Sequence, residues 1–342
     1  MSNNQTRILI SASFGVPFER QVALGNLNSK EILNHLDYKK TFELLDKNIP
    51  SDEEMILPKL SEYNFFINED DKWHITNLGA ILFANDLNDF NNLFGKTIVA
   101  RKYIGTSNFD LQAELIKKSG YAVGIDRLMD FIFTHTQIGE RKDIRREYTY
   151  QYPPRAIREL LVNAMIHQDF TILGMKTSIE IFSDRIVFTN AGAPLIDINR
   201  FIDTTPTSRN EILSNFMYLL KFCEKRGSGI DYVIEAIEKA GLPPVEFTRS
   251  EQYTKVILFP KKPLSQMTTN EKIMACYQHA CLLYEQRKTI NNQSVRERFS
   301  IDQRNSAIAS RILNDTYEAG KIKKVDPEND SRRYATYIPH YG

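Results

Sequence analysis

The stretch Ala156-Ile157-Arg158-Glu159-Leu160-Leu161-Val162-Asn163-Ala164-Met165-Ile166-His167-Gln168-Asp169-Phe170 decides how this chain is read. Pro153 and Pro154 stand just before it, where proline opens a helix at no cost in hydrogen bonds. Ile157, Leu160, Leu161 and Ala164 recur at helical spacing and predict an amphipathic helix over 153–167. Glu159, Asn163 and His167 follow one another at steps of four residues, so they share the opposite face. A carboxylate one turn from a carboxamide oxygen can orient water and ligate a hard cation such as Mg2+. By itself, the same pattern also describes a solvated face whose glutamate pairs with a neighbouring arginine.

Working downstream, residues 177–182 and 185–189 read as strands around a Ser183-Asp184 turn. The second strand runs into Asn190-Ala191-Gly192, which sets an amide that can meet a base edge beside a glycine that lets backbone approach. A loop of about forty residues is expected next, ending at Arg226-Gly227-Ser228-Gly229. That glycine-rich step opens a helix over 230–240, and its free amides and dipole suit phosphate. Alone, Asn-x-Gly is an ordinary turn and Gly-x-Gly a flexible helix entry. Gly95-Lys96-Thr97 ends like a phosphate-binding loop, but Phe90 stands where its first glycine belongs and a strand follows, so it is rejected.

The flanks are less eloquent. Before residue 120, helices are expected from a Ser29 cap and from Ser51 to about residue 63, with a hairpin around Asn68 to Lys72 and a strand over 96–104. Residues 121–135 have helical periodicity, and a strand is expected over 253–259. After residue 268, three helices (270–285, 294–299, 303–319) and a hairpin around Asp326-Pro327-Glu328 are in the order of a winged helix-turn-helix. The fold class is therefore α+β, divided as 1–120, 121–262 and 263–342.

Composition bounds what such a chain can do. It has 342 residues with 44 Lys and Arg against 43 Asp and Glu, so bulk charge cannot hold a nucleic acid. The last 72 residues hold 12 basic against 9 acidic side chains, a local excess of the right sign for DNA. Cys223, Cys276 and Cys281 show neither a disulfide framework nor metal-ligand spacing, which fits a reducing compartment. No apolar run reaches a membrane span, and the first residues lack a signal peptide's apolar core; a cytoplasmic protein is expected, with no membrane partner.

In order and spacing, these elements resemble the GHKL superfamily of ATPases, which includes DNA gyrase B, MutL and histidine kinases. More closely, residues 156–170 with Asn190-Ala191-Gly192, Ser208-Arg209-Asn210 and Glu224-Lys225-Arg226-Gly227-Ser228-Gly229 are similar to one divergent branch. That branch comprises bacterial proteins described as transcriptional regulators or as related to the C-terminus of the RecG helicase. Thr76-Asn77-Leu78-Gly79-Ala80-Ile81-Leu82-Phe83 matches a run seen upstream in it, and the resemblance covers roughly residues 15–340. It implies a central Bergerat-type α/β sandwich that binds ATP with Mg2+. Glu159 would then be the general base of a Mg-dependent ATPase, and Asn163 would hold Mg2+ through the phosphates. His167 joins the nucleotide-binding set. Asn190 stands where the superfamily has its adenine-binding aspartate, followed by Gly192. Gly227, Ser228 and Gly229 would contact phosphate, with Arg209 as a further phosphate partner from the lid.

The resemblance further implies an ATP-controlled regulator of transcription, in which lid closure re-presents the winged helix, within a homodimer. On that module Arg304, Ser306, Ser310 and Arg311 would face double-stranded DNA from the recognition helix, and Lys323, Lys324, Arg332 and Arg333 from the wing. A non-catalytic nucleotide sensor, an interaction scaffold and an accessory to a helicase-like DNA-processing system are the alternatives. The sequence departs from the pattern in two places. Position 190 is an amide rather than an acid, and the N-terminal AlbA-like (Schlafen-type, divergent AAA) domain common in the branch has no counterpart, so a shortened form or a fragment is expected.

Overall fold

The computed structural model describes residues 15–141, 147–202, 204, 207–223, 229–328 and 335–342. Near the N-terminus, β1 (Val22–Leu27) leads to α1 (Ser29–His35), α2 (Tyr38–Leu44) and α3 (Ile56–Ser61). Asn28, not Ser29, caps α1: its side chain accepts from the Glu31 amide while Glu31 returns a bond to the Asn28 amide. The helix expected from Ser51 is shorter, because Asp52 caps a 3-10 turn (Glu53–Met55) before α3 begins. The expected hairpin forms as β2 (Phe66–Glu69) and β3 (Lys72–Thr76), with β3 between β1 and β2. Thr76 then caps α4 (Asn77–Phe83), whose side chains are all buried.

The second sheet positions the site. β4 (Ile98–Tyr103) and β5 (Leu111–Lys117) form a hairpin and α5 (Tyr121–Thr136) follows. A small ladder pairs β6 (Gln137–Arg141) with β7 (Glu147–Tyr150), and then α6 (Pro154–Ile166) begins with its proline in the first turn. β8 (Ser178–Ile181) and β9 (Ile186–Ala191) come next, then α7 (Glu211–Leu219), α8 (Gly229–Lys239), β10 (Glu246–Arg249) and β11 (Tyr253–Leu258). The strand order is β10-β11-β9-β8-β4-β5, antiparallel throughout except where β4 meets β8.

That parallel pair needs a crossover, which α5 and α6 supply while covering one face of the sheet. Ile98, Ala100, Ile179, Ile181, Ile186 and Phe188 point into the core beneath them. Tyr103, Phe182 and Val187 cluster on the other face. Two of the six strands lie before residue 120, so the sheet itself crosses the expected boundary there. The expected forty-residue loop is also broken up, by a 3-10 turn (Ile198–Arg200) and by α7.

The C-terminal part has three helices, α9 (Thr269–Glu285), α10 (Asn292–Phe299) and α11 (Ser306–Glu318), followed by the antiparallel pair β12 (Ile322–Lys324) and β13 (Tyr337–Pro339). A 3-10 turn (Gln303–Asn305) precedes α11, which therefore starts later than the sequence suggests. One stripe of α9, Cys276 and Ala280, packs into this part's own small core, while Tyr277 and Cys281, one position on, pack into the main core. Among the described residues no helix is long and apolar enough to cross a membrane.

Candidate functional site

A cavity of about 370 Å³ opens between α6, β9, β11, α7 and the start of α8. Its size is within the range of small-molecule pockets. Glu159 and Asn163 enter it from α6, His167 from the residue that ends α6, Asn190 from β9, Arg209 from the segment before α7, and Gly229 from the first residue of α8. The polar face of α6 is thus turned inward. Glu159 is only 4% exposed, which excludes the solvated-face reading of its spacing.

Contact between α6 and α8 is close at Gly229, where a side chain would displace the Glu159 carboxylate. A methyl group at Gly229 would lie 2.2 Å from Glu159 Oε1 and 3.5 Å from Asn163 Nδ2. The carboxylate therefore sits against the N-terminus of α8, where exposed amides and the helix dipole favour negative charge. Gly227 and Ser228 lie outside the described residues. Arg155 stacks its guanidinium 4.0 Å over the Tyr232 ring and ties the same two helices together.

The other end of the cavity is built around Gly192. Its φ of +99° suits glycine, and a methyl group there would lie 2.8 Å from both Arg209 Nη1 and Asp169 Cβ. Asn190 lies within β9 and is buried, and its Nδ2 donates to Ala191 O at 3.2 Å. The same carbonyl accepts the Asp169 amide at 2.8 Å. Arg209 donates to His167 O at 3.4 Å and to Ala193 O at 3.3 Å, and its Nε lies 3.5 Å from Asp169 Oδ2. His167, Asn190, Gly192 and Arg209 are therefore one cluster. It lies eight residues along α6 from Glu159, a rise of about 12 Å.

The charges follow from these surroundings. Burial, then the nearby Arg209 charge, pushes the His167 imidazole down to about 4, so the ring is neutral at pH 7. Burial raises the Asp169 carboxyl, but donors from the Thr171 side chain and backbone, with Arg209, outweigh it and hold the group below the ordinary aspartate value. Lys96, from the rejected loop motif, is 2% exposed. Its ammonium bonds to the carbonyls of Asp169 and Ile172, and burial lowers its pKa against the opposing pull of Asp169. It anchors the loop after α6.

Two further residues position the site: Glu19 carries no sequence signal, and Asn210 lies in the Ser208-Arg209-Asn210 run but its partners are distant in sequence. Glu19 Oε1 accepts the Leu213 amide at 2.7 Å and so serves as the cap that α7 lacks locally. Asn210 Nδ2 donates to Ile166 O and Gln168 O, both at 2.8 Å, which closes the end of α6. Partners 44 and 194 residues away leave no local pattern to find.

On the C-terminal part, Arg304, Ser306, Ser310, Arg311 and Lys323 are exposed and Lys324 is half-buried. Ser310 Oγ accepts from Asn292 Nδ2 at 2.9 Å, and Arg304 Nε lies 3.2 Å from Asp302. Arg332 and Arg333 lie outside the described residues.

Residues 174–258 match the family described as "Putative ATP-dependent DNA helicase recG C-terminal". That stretch runs from before β8 to the end of β11, so it holds Asn190, Gly192, Arg209 and Gly229 and leaves out Glu159, Asn163 and His167. The fold is similar to the crystal structure of the DIP2311 protein from Corynebacterium diphtheriae, with a TM-score of 0.57 and 14% identity. The match covers 98% of this chain and 66% of that one, so this chain spans just under two thirds of its length. At that identity the likeness concerns the fold alone. No curated protein matches the chain.

Proposed function

We propose that the cavity binds ATP with Mg2+ and that the protein is a nucleotide-controlled, DNA-associated regulator. One observation carries this reading: residues 159, 163, 167, 190, 209 and 229, scattered over 71 positions, converge on a single cavity. The match of residues 174–258 to an ATP-dependent family supports it. The Asn190 end takes the base, and the α8 N-terminus at Gly229 takes the phosphates.

The residues suit a magnesium ion that arrives with its nucleotide. Among the described residues no three His, Cys, Asp or Glu side chains are grouped to hold a metal by themselves. Asn163 offers a hard oxygen donor, and Mg2+ ordinarily completes its shell with phosphates and water. When bound, the ion neutralises phosphate charge. Glu159 is held dry at the phosphate end, in position to take a proton from an attacking water. The C-terminal part, with Arg304, Arg311 and Lys323 exposed, takes double-stranded DNA under control of the closed or open cavity.

Isothermal titration of Mg-ATP into wild type and Asn163→Ala tests the central claim. Binding that Asn163→Ala weakens by about ten-fold or more is expected. Indifference of both proteins to ATP refutes it. In the same preparations, Glu159→Ala should retain binding and lose slow hydrolysis. Equal hydrolysis by wild type and Glu159→Ala removes the catalytic role and leaves a nucleotide sensor.

A further inference from the structure

We propose that Arg209 reads the nucleobase rather than the phosphates, and that the site accepts guanine as well as adenine nucleotides. The proposal rests on the nucleotide reading above and specifies its substrate class.

Position is the first ground. Arg209 bonds to His167 O and packs on Gly192, at the end of the cavity opposite Gly229 and Glu159. Eight helical residues, or about 12 Å, separate the two ends. The N-terminus of α8, a place suited to phosphate, belongs to the Glu159 end. Arg209 instead shares its neighbourhood with Asn190, because Ala191 O accepts both the Asn190 carboxamide and the amide of Asp169, the residue that pairs with Arg209.

Unspent hydrogen-bonding capacity is the second. Among the described residues, the three contacts that hold the guanidinium are long, at 3.3, 3.4 and 3.5 Å, against an ordinary N–H···O distance near 2.9 Å. Among the described residues its five N–H donors are therefore only loosely engaged, on a side chain that lines the cavity. Asp169 is itself fixed by Thr171 and by Ala191 O, so it aims the guanidinium without fully satisfying it.

The chemistry of base edges completes the case. A guanidinium forks onto the O6 and N7 acceptors of guanine, whereas a carboxamide pairs with the donor and acceptor of adenine. This end of the cavity holds one of each. An acidic side chain in place of Asn190 would favour the adenine amino group and repel the guanine carbonyl oxygen, but the amide at 190 imposes no such veto.

The test is parallel titration of Mg-ATP and Mg-GTP into wild type, Arg209→Met and Arg209→Lys. Wild type should bind the two within a few-fold of each other. Both variants should lower the affinity for GTP relative to ATP by about ten-fold, since lysine keeps the charge and loses the fork. A strict wild-type preference for ATP overturns the proposal. So does a parallel loss of ATP and GTP affinity in Arg209→Met, which is the mark of a phosphate contact. Failure of wild type to bind either nucleotide refutes the nucleotide reading itself. Thermal unfolding shows whether the methionine variant is folded, and the lysine variant carries the comparison if it is not.

Discussion

Glu19 and His167 are both ionisable groups placed in the interior, and they affect stability with opposite signs. Burial is the main reason that the Glu19 carboxyl lies above the ordinary glutamate value of 4.5, despite the backbone bonds from Leu213 and Ile212 that favour its charge. The folded chain therefore holds this proton more tightly than the unfolded one. The group's contribution is greatest below pH 4.5 and is lost as pH rises through the folded value. Glu19→Gln keeps an acceptor for the Leu213 amide and removes that loss. Thermal unfolding between pH 4 and 8 should show the variant as stable as wild type or more so at pH 7, with a flatter profile. A large destabilisation at pH 7 would mean that the charge itself caps α7. His167 acts the other way: its depressed value means that the stability it confers above pH 6.5 is lost as pH falls toward about 4.

Among the elements, α8 links the cavity to the core. It begins at the cavity with Gly229 against Glu159 and buries Val233, Ile234 and Ile237 in the core. Two terms compete in Gly229→Ala. Alanine gains about 1 kcal/mol of helix propensity at an interior site, and less at a first residue. Overpacking costs about 1–3 kcal/mol, and here the clash is with a carboxylate oxygen at 2.2 Å. The clashing atom ends a flexible side chain, so the cost lies at the low end of that range, but the carboxylate is buried and the gain at a first residue is smaller still. We expect a lower melting temperature with unchanged far-UV circular dichroism, together with loss of Mg-ATP binding. An unchanged melting point and affinity would show that α8 can shift away from α6 freely.

On the scale of the whole molecule, the last turn of α8 meets the C-terminal part. Glu238 Oε1 lies 2.8 Å from His279 Nδ1 on α9, and Glu238 Oε2 lies 3.4 Å from Arg298 Nε on α10. Arg298 also donates to Leu242 O at 2.9 Å. Gln278 seals the same junction, exchanging two bonds with the Val245 backbone at 2.7 and 3.1 Å. One helix thus joins the cavity to the candidate DNA-binding part. Removing one member of a buried pair is costly, and because Glu238 keeps some contact with water, about 2–3 kcal/mol is expected for Arg298→Met. Denaturant unfolding checks this. A second transition, with the C-terminal part melting first, would show that the junction is what makes the two parts cooperative. A change below 0.5 kcal/mol would mean that Gln278 and the apolar contacts suffice.

Local spacing made much of this legible. The helix over 153–167, the strand pair after it, the helix after Gly229 and the three C-terminal helices follow from side chains repeating at 3.6 or 2 residues, and those periods are written in the chain. The shared face of Glu159, Asn163 and His167 follows in the same way. Tertiary structure decided the rest, because it turns on partners far apart in sequence. Only folding shows that the polar face of α6 points inward, since burial depends on what lies opposite. Only folding caps α7 with Glu19 and carries the sheet across residue 120, by pairing β4 with β8. It also sets Arg209 at the Asn190 end of the cavity, because a side chain's position in a cleft is fixed by contacts that no local pattern records.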